Sequence, residues 1–311
     1  MSPRRVILIA VIAAVIYAGV AIWVLNNFEV PPINRAAWTF IFLAAVSQIS
    51  AKWFFGLLFR ESVQEVSGNL RPWSAFKAAL VGAGVARLIP AGGAITPVAM
   101  AWTVREETAV AAGPALRTVL LNYAGLLMMA GGGLLLARPR ESAQIASVSL
   151  VVLAPFVLFV GLLLMFGSGQ LQTLNKYLPR FIRTRLESSV ANHAPKLESQ
   201  AYIWARLTLE AGALWLVLEA FGIGVSGFQV MAAFAVASLA GGLPGTPGGL
   251  GITEVGLALI LAAYGIPAAI TAVPILVFRI ISYWLPAALS FLAGGTTFLR
   301  SDEAQAADVS G

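Results

Sequence analysis

Eight mainly apolar runs, at about 6–25, 36–58, 75–105, 114–136, 145–167, 203–222, 228–264 and 268–295, take up most of this 311-residue chain. A helix needs about 20 such residues to cross a hydrocarbon core roughly 30 Å thick. Lipid offers the backbone no hydrogen-bond partner, so spanning segments must be helices or a closed barrel. Runs of this length predict an all-α fold, a polytopic transmembrane helical bundle. Composition agrees: 59% of residues are apolar and 11% charged, with mean hydropathy +0.85. A water-facing domain carries about 25% charged residues, so this chain has too few to cover such a surface. The run at 6–25 follows Arg4 and Arg5 but is longer than a usual signal-peptide core. No cleavage site is assigned before Asn26, and a retained first span is expected.

Two runs cannot be plain helices. In 75–105 the pattern stops at Pro90-Ala91-Gly92-Gly93 and resumes toward Val104. In 228–264, residues Gly241 to Gly251 hold six glycines and two prolines among eleven positions. Proline removes a donor from the helical ladder, and glycine pays the largest entropy to stay helical. Unwound backbone at membrane depth is tolerated where protein or a wet cavity satisfies it, so both breaks are expected to line an internal site.

Counting Lys and Arg between the runs orients them. If both broken runs turn back as re-entrant hairpins, the N-terminus, the 59–74 linker, Arg105, the 168–200 linker and Arg300 share the cytoplasmic side. Only Arg35, Arg138 and Arg140 then fall outside. The hairpins would enter from opposite faces, as in an inverted-topology repeat with halves at about 36–167 and 200–295. Asn122 lies 32 residues after Pro90, and Arg279 lies 32 after Pro247. The alternative is two unrelated kinked spans. One integral membrane domain over 1–300 is expected, with a disordered tail at 301–311. The 168–200 linker, with Arg180, Arg183 and Arg185 between apolar residues at near-helical spacing, reads either as an interfacial helix or as a solvated loop.

Charges inside a bilayer cost at least about 2.5–3.5 kcal/mol each, so each needs a reason. Arg279 is expected near the midplane, about 16 Å into the last span, and Arg87 at similar depth just before the Pro90 break. Lys52 and Arg206 are closer to helix ends and are expected to snorkel, Arg206 also pairing with Glu210. Glu254, beside Thr253 in the first turn after the second break, reads two ways: a helix-start cap, or a partner that holds Arg279. Amides at Gly92 and Gly93 and at Gly248 and Gly249 through Thr253, together with Arg87 and Arg279, would make an anion cradle suited to phosphate. Trp53, Trp73, Trp102, Trp204 and Trp284 are assigned to interfacial belts.

Several chemistries lack their parts. The chain has no cysteine, one histidine (His193) and two aspartates, Asp302 and Asp308, so zinc sites, thiolate chemistry and a Ser-His-Asp triad are not expected. No Walker-type glycine loop with lysine is present, and no cofactor is expected. The net charge of +6 suits anionic headgroups, and no nucleic-acid partner is expected.

The stretch Pro247-Gly248-Gly249-Leu250-Gly251, then Glu254, Gly265-Ile266-Pro267, and Arg279 with Tyr283-Trp284-Leu285-Pro286, resembles the C-terminal half of the lysylphosphatidylglycerol synthase transmembrane (flippase-like) family. Lys52-Trp53 is similar to a basic-Trp pair late in that family's second span. The acid that usually accompanies the first break is absent after Pro90. The resemblance implies translocation of a phospholipid or lipid-linked headgroup between leaflets. The family is sometimes fused to a soluble aminoacyl-transfer domain, which is not expected within these 311 residues. The expectation is therefore a non-enzymatic lipid flippase of a bacterial inner membrane with both termini cytoplasmic. Its partners would be the lipid, the membrane, and either a second copy or a separate lipid-modifying enzyme. A secondary transporter of a small anion and an accessory subunit presenting lipid to an enzyme are the alternatives. If transport is proton-driven, Glu254, Glu210 and Glu219 are the carriers to consider.

Overall fold

The computed structural model describes residues 11, 15, 17–19, 21–27, 35–66, 69–88, 92–137, 144–166, 195–242 and 246–295. Among these, every regular element is helical. The order is α1 (Arg35–Val66), α2 (Pro72–Leu88), α3 (Gly92–Thr103), α4 (Ala112–Leu136), α5 (Gln144–Phe166), α6 (Leu197–Ala220), α7 (Gly227–Gly241), a 3-10 turn at Pro247–Gly249, and α8 (Ile252–Ala263). A last long helix follows as α9 (Ala268–Arg279), a wide turn at Ile280–Trp284, α10 (Leu285–Ser290) and a second wide turn at Phe291–Gly295.

Four stretches are long and apolar enough to cross a bilayer: Arg35–Val66, Ala112–Leu136, Leu197–Ala220 and Ala268–Gly294. The chain is a multi-pass membrane protein built as an all-α bundle. Its periphery carries exposed Trp38, Phe42, Phe156, Phe159, Leu259 and Leu292, side chains that only a hydrocarbon solvent accommodates at this density. Oil gives helices no hydrophobic reason to associate, so close packing must hold them. A Cβ on Gly133 of α4 would stand 2.6 Å from the Ala232 nitrogen of α7, and one on Gly131 would stand 2.6 Å from that of Leu158 in α5. Glycine is what lets α4 touch the backbones of both neighbours.

Both breaks fall where the glycines and prolines place them. α2 and α3 pack side by side, as do α7 and α8. Helices α3 and α8 have 12 residues each, about 18 Å at 1.5 Å per residue, too short to cross. The hydroxyl of Ser74 at the start of α2 donates to Glu107 just beyond α3, so the two ends of the first hairpin lie together. Outside the hairpins, α1 packs along α6, α2 packs against α10, and α7 packs against α4.

Some expectations are corrected. α1 continues to Val66, so Arg60 is helical, not a linker residue, and its Nε donates to the Leu70 carbonyl. Trp53 and Trp284 sit in helix interiors, away from the ends where an interfacial belt would place them. The start of the first run, most of the 168–200 linker and the tail at 301–311 lie outside the described residues.

Candidate functional site

The two breaks meet each other. Gly248, Gly249 and Gly251 take φ of +55°, +70° and +83°, a left-handed region that side-chain-bearing residues avoid. That path brings Gly248 against the end of α2, where an added Cβ would lie 2.8 Å from Arg87 Cα. Gly93 of the first break faces Gly242 of the second, and a Cβ on either would stand 2.8 Å from the Tyr123 hydroxyl of α4. Beside this junction lies a cavity of about 220 Å³, with an adjoining pocket of about 80 Å³.

Arg279 ends α9 with its side chain directed to the junction and is 7% exposed. Its Nε donates to Glu254 Oε1 at 2.7 Å and its Nη2 to the Gly248 carbonyl at 3.4 Å. Glu254 uses its other oxygen to accept the Gly251 N–H at 2.8 Å. Both readings of Glu254 therefore hold at once: it caps the start of α8 and fixes the guanidinium. Nη1 of Arg279 has no hydrogen-bond partner among the described residues, and Arg279 lines both the cavity and the pocket.

Arg87 is tied down differently. Its Nη1 donates to the Ala83 carbonyl at 2.6 Å and its Nη2 to the Ser282 carbonyl at 2.7 Å. Four residues past Ser282 stands Pro286, which has no N–H to return to that carbonyl along the helix. The wide turn and the proline thus leave an acceptor that Arg87 occupies. Tyr283 donates to the Arg87 carbonyl at 2.6 Å, satisfying one of the orphan acceptors at the end of α2. Its ring lies beneath both guanidinium groups, with centroids 5.8 Å from Arg87 Cζ and 5.0 Å from Arg279 Cζ.

The structure overturns the snorkelling assignment. Lys52 and Arg206 are 3% and 9% exposed and line the same cavity as Arg87 and Arg279. They are drawn inward by Glu210, whose Oε1 accepts from Lys52 Nζ and, at 3.3 Å, from Arg206 Nη2. Arg206 also stacks on Phe55, its Cζ 4.2 Å from the ring centroid. A snorkelling side chain gives up water only for a better partner, and here a shared carboxylate and an aromatic face provide one. The sequence did carry a signal. Three ionisable groups, two of them spaced i and i+4 on one helix, cost too much unless they face one another.

Of the remaining expected residues, Gly93, Gly248 and Thr253 line the cavity. Gly249 is buried against Gly241, 2.6 Å from its carbonyl at the Cβ position, and shapes the turn without lining the cavity. Gly92 opens α3. Glu219 does not reach the cavity, unlike Glu210, which borders the pocket. Tyr123, which was not expected, and Asn122, noted only for its spacing from Pro90, complete the wall from α4. Several polar atoms here have no hydrogen-bond partner among the described residues: Arg206 Nε and Nη1, Asn122 Oδ1 and the Ser282 hydroxyl.

Residues 7–290 match the family described as the Lysylphosphatidylglycerol synthase TM region. A UPF0104 membrane protein of Methanothermobacter thermautotrophicus is 40% identical over 81 residues, which are 26% of this chain and 24% of that protein. The matched stretch thus spans about a quarter of that relative's length.

Proposed function

The chain belongs to the lysylphosphatidylglycerol synthase TM region family, a description that points to membrane lipid handling, and we propose that it binds an anionic phospholipid or lipid-linked headgroup and carries it between leaflets. The observation that carries this reading is Arg279. Glu254 and the Gly248 carbonyl fix its guanidinium, Nη1 keeping no hydrogen bond among the described residues, at the wall of a cavity bounded by both helix breaks. A phosphate in that cavity exchanges its hydration for fixed donors, which lowers the cost of taking it through hydrocarbon, while acyl chains remain in the bilayer. The activity is transport, not catalysis. On this reading α2–α3 and α7–α8 are re-entrant hairpins entering from opposite faces. The packing of each hairpin against a long helix of the other half, α2 on α10 and α7 on α4, supports an inverted repeat. The setting is a bacterial inner membrane with both termini cytoplasmic.

Reconstitution into liposomes carrying fluorescent phosphatidylglycerol tests this. Wild type should equilibrate the lipid between leaflets, with Arg279→Ala and Glu254→Gln slower by about tenfold or more, the scale of one lost charge-assisted contact. Equal rates in all three would remove the site. No movement by wild type would favour an accessory role, and uptake of inorganic phosphate without lipid movement would favour a secondary anion transporter.

A further inference from the structure

The cavity is not neutral. Lys52 and Arg206 share one carboxylate, Glu210, Arg279 pairs with Glu254, and Arg87 beside it bonds only to the Ala83 and Ser282 carbonyls. Among the described residues, four cations at this site face two carboxylates, an excess of two positive charges. The short connections at 89–91 and 243–245 contain no ionisable residue, so they add nothing to that balance. Surplus charge held in so buried a place is expensive unless a counter-charge occupies the space beside it. A phosphodiester headgroup supplies one negative charge and would leave one cation uncompensated.

Resting on the transport reading above, we infer that the preferred cargo is a lipid whose headgroup carries two negative charges, a phosphomonoester or a diphosphate, over a phosphodiester lipid. The charge is arranged as two centres, each with two cations and one carboxylate. One centre is built on α1 and α6, the other on α2, α8 and α9. Each centre keeps donors in reserve: Nε and Nη1 of Arg206 in the first, and Nη1 of Arg279 in the second. A headgroup with two charges engages both centres, and one with a single charge engages only one. Asn122 and Tyr123 lie along the same wall and offer polar atoms to whatever the phosphate bears.

The test uses the full chain in detergent with a fluorescent phosphatidylglycerol probe, displaced by phosphatidylglycerol, phosphatidic acid, cytidine diphosphate–diacylglycerol or inorganic diphosphate. Phosphatidic acid or the diphosphate lipid should displace the probe at concentrations about tenfold lower than phosphatidylglycerol, roughly one added charge contact. Arg206→Gln, which cuts the excess to one, should weaken binding of phosphatidic acid and the diphosphate lipid more than that of phosphatidylglycerol, bringing the three within about twofold, and Arg206→Lys should keep the preference. If Arg206→Gln does not fold, Lys52→Met makes the same charge change. Equal displacement by all three lipids in wild type overturns this inference and leaves the transport reading standing. Displacement by inorganic diphosphate as effective as by the best lipid overturns the lipid assignment. Failure of wild type to bind any of the lipids overturns both.

Discussion

Arg87 and Tyr283 are joined twice: the tyrosine hydroxyl donates to the arginine's own carbonyl at 2.6 Å, and the guanidinium lies 5.8 Å from the centre of the tyrosine ring. The first contact closes the end of α2, and the second aims the side chain that leaves it. Tyr283→Phe separates the two roles, because it deletes the hydroxyl and keeps the ring. It should cost about 1–3 kcal/mol, the penalty for a buried carbonyl left without a donor, read as a lower unfolding midpoint in detergent. Lipid displacement by the surviving protein should stay within a few fold of wild type, since both guanidinium groups remain.

Gly248 stands where a side chain is doubly unwelcome, with φ at +55° and Arg87 Cα only 2.8 Å from a Cβ position. Gly248→Ala should destabilise by about 1–3 kcal/mol or more and reduce lipid transfer with it. Gly212 of α6 has nothing within 4 Å of its Cβ position. Gly212→Ala should be neutral or stabilising by up to about 1 kcal/mol, since helical glycine is entropically costly. If thermal unfolding ranks the two variants the other way, the close junction of the breaks is wrong.

Glu210 neutralises two cations at once, so its loss is not that of a simple pair. Glu210→Gln should destabilise by about 3–5 kcal/mol, because Lys52 and Arg206 are then buried without a counter-charge. Adding Lys52→Met to that variant should recover part of the loss. Equal unfolding midpoints for the single and double variants would show that the two side chains do not interact.

The absence of cysteine from the chain makes topology easy to probe. In right-side-out vesicles, labels at Trp73→Cys and Glu106→Cys should react from the same face, since each adjoins an end of the first hairpin. Labels at Gly224→Cys and Pro267→Cys should both react from the opposite face. Reaction of Trp73→Cys and Glu106→Cys from different faces would mean that the hairpin crosses the bilayer.

The helix breaks were legible because glycine and proline act locally, and their effect needs no knowledge of neighbours. Arg279 with Glu254 was legible for a related reason: two opposite charges in apolar surroundings have few other places to go. Lys52, Arg206 and Glu210 were harder. Whether a long cationic side chain reaches outward to water or inward to a carboxylate depends on which helix packs beside it. That α1 runs along α6 is a tertiary fact. The role of Tyr283 was equally hidden, since it depends on the wide turn after Arg279 and on where α2 stops. The meeting of Gly93 with Gly242 joins segments about 150 residues apart, and no local pattern announces such a contact.

Among the described residues, the interrupted helices abut largely through glycine: one faces another across a tyrosine hydroxyl, and a third rests on the backbone of Arg87. A joint of that kind has no compressible padding. A tilt of either arm transmits directly to the other, so the molecule should rock as a seesaw does, one mouth closing as the opposite one opens.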